Sequence, residues 1–267
     1  STSSSSPMMD IVKCLPVCLV MSLLCACAGP ERELAAYWRG HDFTSLESFG
    51  DIRAAEDEFD GYVRLLDKTR PDVAGKSLTE FLDSASGNSV AYAVWAGWCE
   101  SYFHSLASPY RNDELFSLFL DKVTEDGVLE PYMLGRFLMM RKVFHNGLPG
   151  ARVSPVVLKD AGGVEFSLAD YAPRRVLVLF LDAGCSSCLQ KVNETEAEYR
   201  GCDLEKVVVL VHGTPALTAG LAARLPDGWR PAWCPSGELE AGEIYDITLL
   251  PSRIIVGADG LVGKSYH

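Results

Sequence analysis

Between residues 30 and 150 apolar side chains recur at three- and four-residue steps, the period of helices that bury one face, and no stretch alternates as a strand would. Five helices are expected, at residues 51–68, 76–84, 89–106, 113–124 and 131–145. The clearest apolar stripe is Leu115, Phe116, Phe119, Leu120 and Val123. Punctuation agrees with the period. Asp51, Asn88 and Asn112 stand where amino-terminal caps belong, Pro131 suits a first helical turn, and Gly87, Gly127 and Gly147 stand at the stops.

The pattern changes after Leu148-Pro149-Gly150. Residues 153–158 and 164–166, joined through Asp160-Ala161-Gly162-Gly163, read as a β-hairpin, and 167–171 as a short helical turn. Residues 176–181 are unbroken apolar, as in a strand covered on both faces. A helix at 186–200, a second buried strand at 207–211 and a weak helix at 216–224 follow. The chain closes with strands at 253–256 and 261–265, joined at Ala258-Asp259-Gly260. This succession implies an α/β domain with a mixed sheet and flanking helices, residues 151–267, behind an all-α domain, residues 27–150.

Residues 1–26 belong to neither. The single cation Lys13 precedes an apolar run at 15–28 that contains Pro16 and is shorter than the roughly 20 residues a membrane span needs. A basic start, an apolar stretch and a small-residue exit are the layout of an export signal, with Ser1 to Pro7 as extra residues ahead of Met8 and Met9. Leu24-Cys25-Ala26-Cys27 resembles the lipobox of bacterial lipoproteins. That resemblance implies Cys27 as a lipidated first residue and a protein anchored in the bacterial cell envelope, facing the periplasm. An ordinary cleaved signal peptide is the alternative.

With 36 acidic and 24 basic residues the net charge is −12, which repels a phosphate backbone and removes nucleic acid from the expected partners. Charge says no more than that. Nine cysteines are more informative, because outside the cytosol thiols can be oxidised. Cys99, on an aromatic helix with Tyr92, Trp95, Trp98 and Tyr102, reads as core packing. Cys202 and Cys234 read equally as a structural disulfide or as two separate thiols. His41, His104 and His145 show no ligand spacing, and His212, at the end of a buried strand, reads as a core or loop residue rather than a ligand, so no metal site is expected.

Cys185-Ser186-Ser187-Cys188 falls where the first buried strand gives way to a helix. Unpaired N–H groups and the positive end of a helix dipole stabilise a thiolate, which makes Cys185 the candidate nucleophile and Cys188, one turn on, the resolving thiol. Tyr245-Asp246-Ile247-Thr248-Leu249-Leu250-Pro251-Ser252 follows much later, directly ahead of a strand and hairpin. Together, over residues 153–267, these elements resemble the thioredoxin fold, and with their leading hairpin the membrane-anchored thioredoxin-like proteins of the bacterial envelope that include cytochrome-maturation reductases. The resemblance implies a cis peptide before Pro251, and Leu250 and Pro251 as the element that docks substrate beside the cysteine pair. The helical part, through Tyr37-Trp38, Asp42-Phe43 and Ser108-Pro109-Tyr110-Arg111-Asn112-Asp113-Glu114-Leu115, is similar to Gram-negative lipoproteins that carry a helical domain of unknown function before a thioredoxin-like one.

What the resemblance implies is a thiol–disulfide oxidoreductase, a reductase or exchange protein, with no cofactor beyond its own Cys185–Cys188 pair. Its expected partners are protein thiols or disulfides of the envelope, an upstream electron donor, and the membrane through the lipid anchor. The chain departs from thioredoxins at Leu179, where they carry a buried acid, at Gly184 in place of an aromatic, and at Ser186-Ser187 in place of Gly-Pro. It also ends at Lys264-Ser265-Tyr266-His267 without the usual last helix, so a truncated sequence or a covering helical domain is expected. These departures sustain a second expectation, a non-catalytic binding or scaffolding lipoprotein with a structural thioredoxin-like half.

Overall fold

The computed structural model describes residues 29–46, 48–184, 187–248 and 250–263. They form two compact units, one reaching to Glu130 and the other beginning at Pro131.

The first unit contains α1 (Gly29–Tyr37), α2 (Phe49–Asp67), α3 (Pro71–Ala85), α4 (Ser89–Phe103) and α5 (Asp113–Asp126). Its core is aromatic: Phe59, Tyr62, Trp95, Phe116 and Phe119 are fully buried, and the Trp95 indole donates to the Phe43 carbonyl at 3.0 Å. Asn88 and Asn112 cap α4 and α5 as expected, each side chain accepting two backbone N–H groups of the first turn. At α2 the cap is Ser48, not Asp51. Asp51 is the third helical residue, and its carboxylate accepts the Ser48 N–H while its own N–H donates to Ser48 Oγ, a reciprocal capping box. α3 starts at Pro71 rather than Lys76, since proline's fixed φ suits a first turn and its missing N–H is not needed there.

The second unit opens with α6 (Pro131–Asn146). This helix falls ahead of the composition change at Leu148-Pro149-Gly150, yet it is tied to the sheet unit. The Asn146 side chain donates to the Ile244 carbonyl at 2.7 Å, and the Gly150 N–H donates to the Val262 carbonyl at 2.7 Å. There follow β1 (Val157–Asp160), β2 (Glu165–Ser167), a 3-10 turn (Leu168–Tyr171), β3 (Val176–Asp182), α7 (Cys188–Glu198), β4 (Glu205–Val211), α8 (Pro215–Ala222), β5 (Trp229–Trp233) and β6 (Ser252–Val256). The sheet order is β2-β1-β5-β4-β3-β6. β3, β4 and β5 run parallel, while β1 and β6 pair antiparallel to β5 and β3. This is the expected mixed sheet with flanking helices behind a helical region.

All of Val176 to Leu181 is buried, the outcome an unbroken apolar run anticipates for a strand covered on both sides. Val176, Val178 and Phe180 join Val207, Val209, Val211, Ala232 and Tyr245 on one face. Leu177, Leu179 and Leu181 join Val208, Leu210 and Trp229 on the other, where α7 adds the fully buried Val192. Each such side chain contributes about 1.5–3 kcal/mol by leaving water, so β3 is held from both faces of the sheet.

The hairpin β1–β2 meets the rest of the sheet through two residue pairs, Lys159 with Trp233 and Asp160 with Ala232. Arg230 reinforces the junction. Its guanidinium donates to Asp160 Oδ2 at 2.7 and 3.1 Å and lies 3.7 Å from the centre of the Phe166 ring. Beyond β6, Leu261 and Val262 make single bridges to Arg152 and Val256 where a strand at 261–265 was expected. Residues 264–267 lie outside the described residues. Among the described residues no helix is long and apolar enough to cross a membrane.

Candidate functional site

β3 delivers the chain to the cysteine pair and α7 carries it away. At the end of β3 the Ala183 N–H donates to the Val211 carbonyl at 3.0 Å, extending the pairing with β4, and the Gly184 N–H donates to Asp182 Oδ1 at 2.8 Å, which turns the backbone out of the sheet. Cys185 and Ser186 come next and lie outside the described residues. Ser187 precedes α7, whose first residue is Cys188 and whose first turn holds no acidic residue to offset the positive end of the helix dipole.

α7 is fastened along its length. Val192 seats it on Leu177, Leu179 and Leu181. Near its far end Glu196 Oε2 accepts from Lys206 Nζ at 2.7 Å and from the Trp229 indole at 2.8 Å, linking the helix to β4 and β5. Glu198 accepts a two-pronged bond from Arg253, at 2.6 and 3.0 Å, linking it to β6. The Lys206 ammonium, helped by the indole N–H, holds the Glu196 carboxyl below the usual carboxylate range, and the Arg253 guanidinium does the same for Glu198.

The Leu250–Pro251 peptide is cis, as expected. Ser252, the next residue, pairs with Phe180 of β3, so Leu250 and Pro251 stand at the end of β3 from which the chain runs to Cys185. Leu250 packs its half-buried side chain on the sheet face that holds Tyr245, whose ring lies 5.3 Å from Phe180 and whose hydroxyl accepts the Ser154 N–H at 3.2 Å. Burial pushes the Tyr245 hydroxyl above its ordinary value, so it stays neutral.

Of the other cysteines, Cys27 lies outside the described residues. Cys202 and Cys234 are separate free thiols, the second of the two expected readings. Cys202 is exposed after α7, while Cys234 is buried one residue beyond β5 with its Sγ 3.2 Å from Ser236 Oγ in its own loop. Cys99 is fully buried in the aromatic core, and burial pushes its thiol far up. Among the described residues no three histidine, cysteine or acidic side chains gather as a metal site. The turn at His212 and Gly213 follows β4 beside Ala183, across the β3–β4 pairing, and periodicity does not reveal that placement. The one local signal for it is a His-Gly pair closing an apolar run.

Parallel central strands, a helix leaving the strand that carries Cys-x-x-Cys, and a cis-proline entering the antiparallel strand beside it define a thioredoxin-like fold. The chain is similar to the crystal structure of a thioredoxin-like protein from Bacteroides caccae, with 15% identity over 88% of this chain and 87% of that one and a TM-score of 0.71. Partial likenesses include the thioredoxin domain of a thiol-disulfide oxidoreductase from Bacteroides vulgatus, 20% identical over 45% of this chain and 89% of that one, TM-score 0.39. Another is the pneumococcal exposed lipoprotein thioredoxin from Streptococcus pneumoniae, 21% identical over 42% and 88%, TM-score 0.34. No protein-family model and no curated protein matches the sequence.

Proposed function

We propose that the protein is an envelope thiol–disulfide oxidoreductase acting through Cys185 and Cys188. The observation that carries this reading is the register of β6 on β3, which sets Leu250 and Pro251 at the end of the strand that leads into Cys-x-x-Cys. In the reducing direction the Cys185 thiolate attacks one sulfur of a substrate disulfide. The substrate S–S bond breaks, a mixed disulfide forms, and the departing substrate sulfur takes up a proton. Cys188 then gives up its own proton and attacks the Cys185 sulfur, which closes the protein disulfide and releases the second substrate thiol. Two electrons have passed to the substrate, and an external dithiol donor restores the pair. Leu250 and Pro251 hold the substrate segment beside the thiols. Cys27 carries the lipid that keeps the domain at the membrane, facing the periplasm.

Purified protein with an excess of dithiol should reduce a model protein disulfide, and Cys185→Ser should abolish the reaction; undiminished activity in the variant refutes the assignment. Acyl-chain labelling should vanish in Cys27→Ala, and a persisting label excludes that anchor. The scaffold reading draws on Leu179, which is 1% exposed and puts an apolar residue where thioredoxins carry an acid. A Cys185–Cys188 disulfide that resists excess dithiol in the folded protein would favour it.

A further inference from the structure

We propose that the helical unit binds a neutral sugar, one hexose ring, in the groove between α1 and α3. The inference is independent of the redox reading and gives this unit a task of its own. The two helices run in the same direction. The Glu31 carboxylate of α1 accepts from Arg70, at the start of α3, at 2.8 Å. Trp38, just past the end of α1, stacks on Phe81 in the later half of α3 with ring centres 5.4 Å apart. Between these two ties the helices leave a groove of about 380 Å³, inside the ~300–1,000 Å³ range of small-molecule sites.

Volume and lining select the ligand. At about 30 Å³ for each non-hydrogen atom, the share of a water in the liquid, the groove takes about twelve such atoms, the size of one hexose. Its floor is apolar: Trp38 and Val73 are half-buried and present surface over the buried Leu34 and Phe81. Its rim is charged yet balanced. Glu31 and Arg39 line it on the α1 side and Lys76 and Glu80 on the α3 side, two carboxylates against two cations. Behind Glu31, Arg70 also reaches Asp72 at 3.8 Å, which adds one charge of each sign. Lys76 and Glu80 are 3.7 Å apart and mostly exposed, so their attraction is weak and both stay available to a ligand. Ser84 donates to the Glu80 carbonyl at 2.8 Å and keeps its lone pairs as acceptors.

This set discriminates among small ligands. A carboxylate meets Glu31 and Glu80, and an ammonium meets Arg39 and Lys76, so neither sign of charge gains. An apolar molecule would strip water from four charges and return no hydrogen bond. A hydroxyl both donates and accepts, so a polyol serves carboxylates and cations at once, through charge-assisted bonds about twice as strong as neutral ones. The C–H side of the sugar ring covers the apolar floor.

Ligand-observed saturation-transfer NMR on the full chain, with glucose, galactose and mannose as probes, tests this. At least one hexose should bind with a Kd of about 1 mM, the ordinary efficiency for a ligand of about twelve atoms. Ala35→Phe fills the groove from an exposed position on α1 and should abolish the signal. Glu80→Ala and Lys76→Ala, both exposed, should each weaken binding about 5- to 10-fold, the loss of a hydrogen bond to a charged group. Thermal unfolding checks that the variants fold, and if Ala35→Phe does not, the two rim variants decide. Failure of all three sugars to bind at about 50 mM, an undiminished signal in Ala35→Phe, or unchanged affinity in both rim variants overturns the inference. So does binding of butyrate or tetramethylammonium that Ala35→Phe blocks and hexose does not displace, which makes the groove a site for charged ligands.

Discussion

Replacing Gly213 by alanine tests how tightly the β4–α8 turn is built. The added Cβ would stand 2.7 Å from Trp233 Cβ, 2.8 Å from the Leu210 carbonyl oxygen and 2.9 Å from Leu210 Cβ. Carbon pairs rest at about 3.5–4.0 Å, so the first contact is short by about 1 Å. None of the three atoms can be moved by a change of rotamer, since one is a main-chain oxygen and two are Cβ atoms. Relief requires the turn to lift or β4 and β5 to part, and overpacking of this kind costs typically 1–3 kcal/mol. We expect about 2–3 kcal/mol. Gly220, in the exposed interior of α8, is the matched control: a Cβ there meets nothing within 4 Å. Gly220→Ala should gain about 0.5–1 kcal/mol from helix propensity alone. Urea unfolding of the full chain, read by hydrogen exchange in peptides of β4 and β5, reports the second unit by itself. A Gly213→Ala cost below about 0.5 kcal/mol would refute the steric account.

Two further outcomes are expected. Glu196→Gln should destabilise the sheet unit by about 1 kcal/mol at pH 7, a charge-assisted bond discounted for a carboxylate that is partly exposed. Because the folded carboxyl is held below its unfolded value by Lys206 and Trp229, that stabilisation is complete above about pH 4.3 and fades as pH falls through the lower folded value. Urea midpoints of wild type and variant should therefore converge as pH falls below the ordinary carboxylate range; a gap that stays constant contradicts the linkage. Thiol labelling should separate the free cysteines: Cys202 should react within minutes in the native protein, and Cys99, whose buried thiol is pushed far up, should react only after unfolding. Native-state labelling of Cys99 would contradict its place in the core.

Much of the fold can be read along the chain because the relevant interactions are local or periodic. The stripe of α5, the asparagine caps of α4 and α5 and the unbroken run of β3 each depend on residues close in sequence. α1 escaped notice because it buries one residue, Leu34, and so shows no apolar stripe. β5 escaped because Pro231 speaks against a strand inside a sheet. The β1 ladder stops at Ala232, which leaves Pro231 one side on which its missing N–H costs nothing. In the candidate site, Cys-x-x-Cys and Leu-Pro-Ser are local signatures, and the cis peptide followed from them by resemblance. The turn at His212 and Gly213 was legible only as the end of a buried strand, since its place beside β3 comes from the register between β3 and β4 and the close fit of Gly213 to Trp233 from a strand distant in sequence.

The Arg230 clasp on the hairpin bears on the order in which the unit assembles. Arg230 and Asp160 are 70 residues apart in sequence, and the hairpin reaches the sheet only through β5. β1 and β2 precede β5 in the chain, so their seat in the sheet is complete only once β5 has been made. Closing so long a loop carries an entropic cost before any pairing rewards it, which slows that step relative to joining β3, α7 and β4. Until then the outer edge of β5 is an unpaired strand edge in a nascent protein, and one arginine with its aromatic and acidic partners decides how soon it is covered.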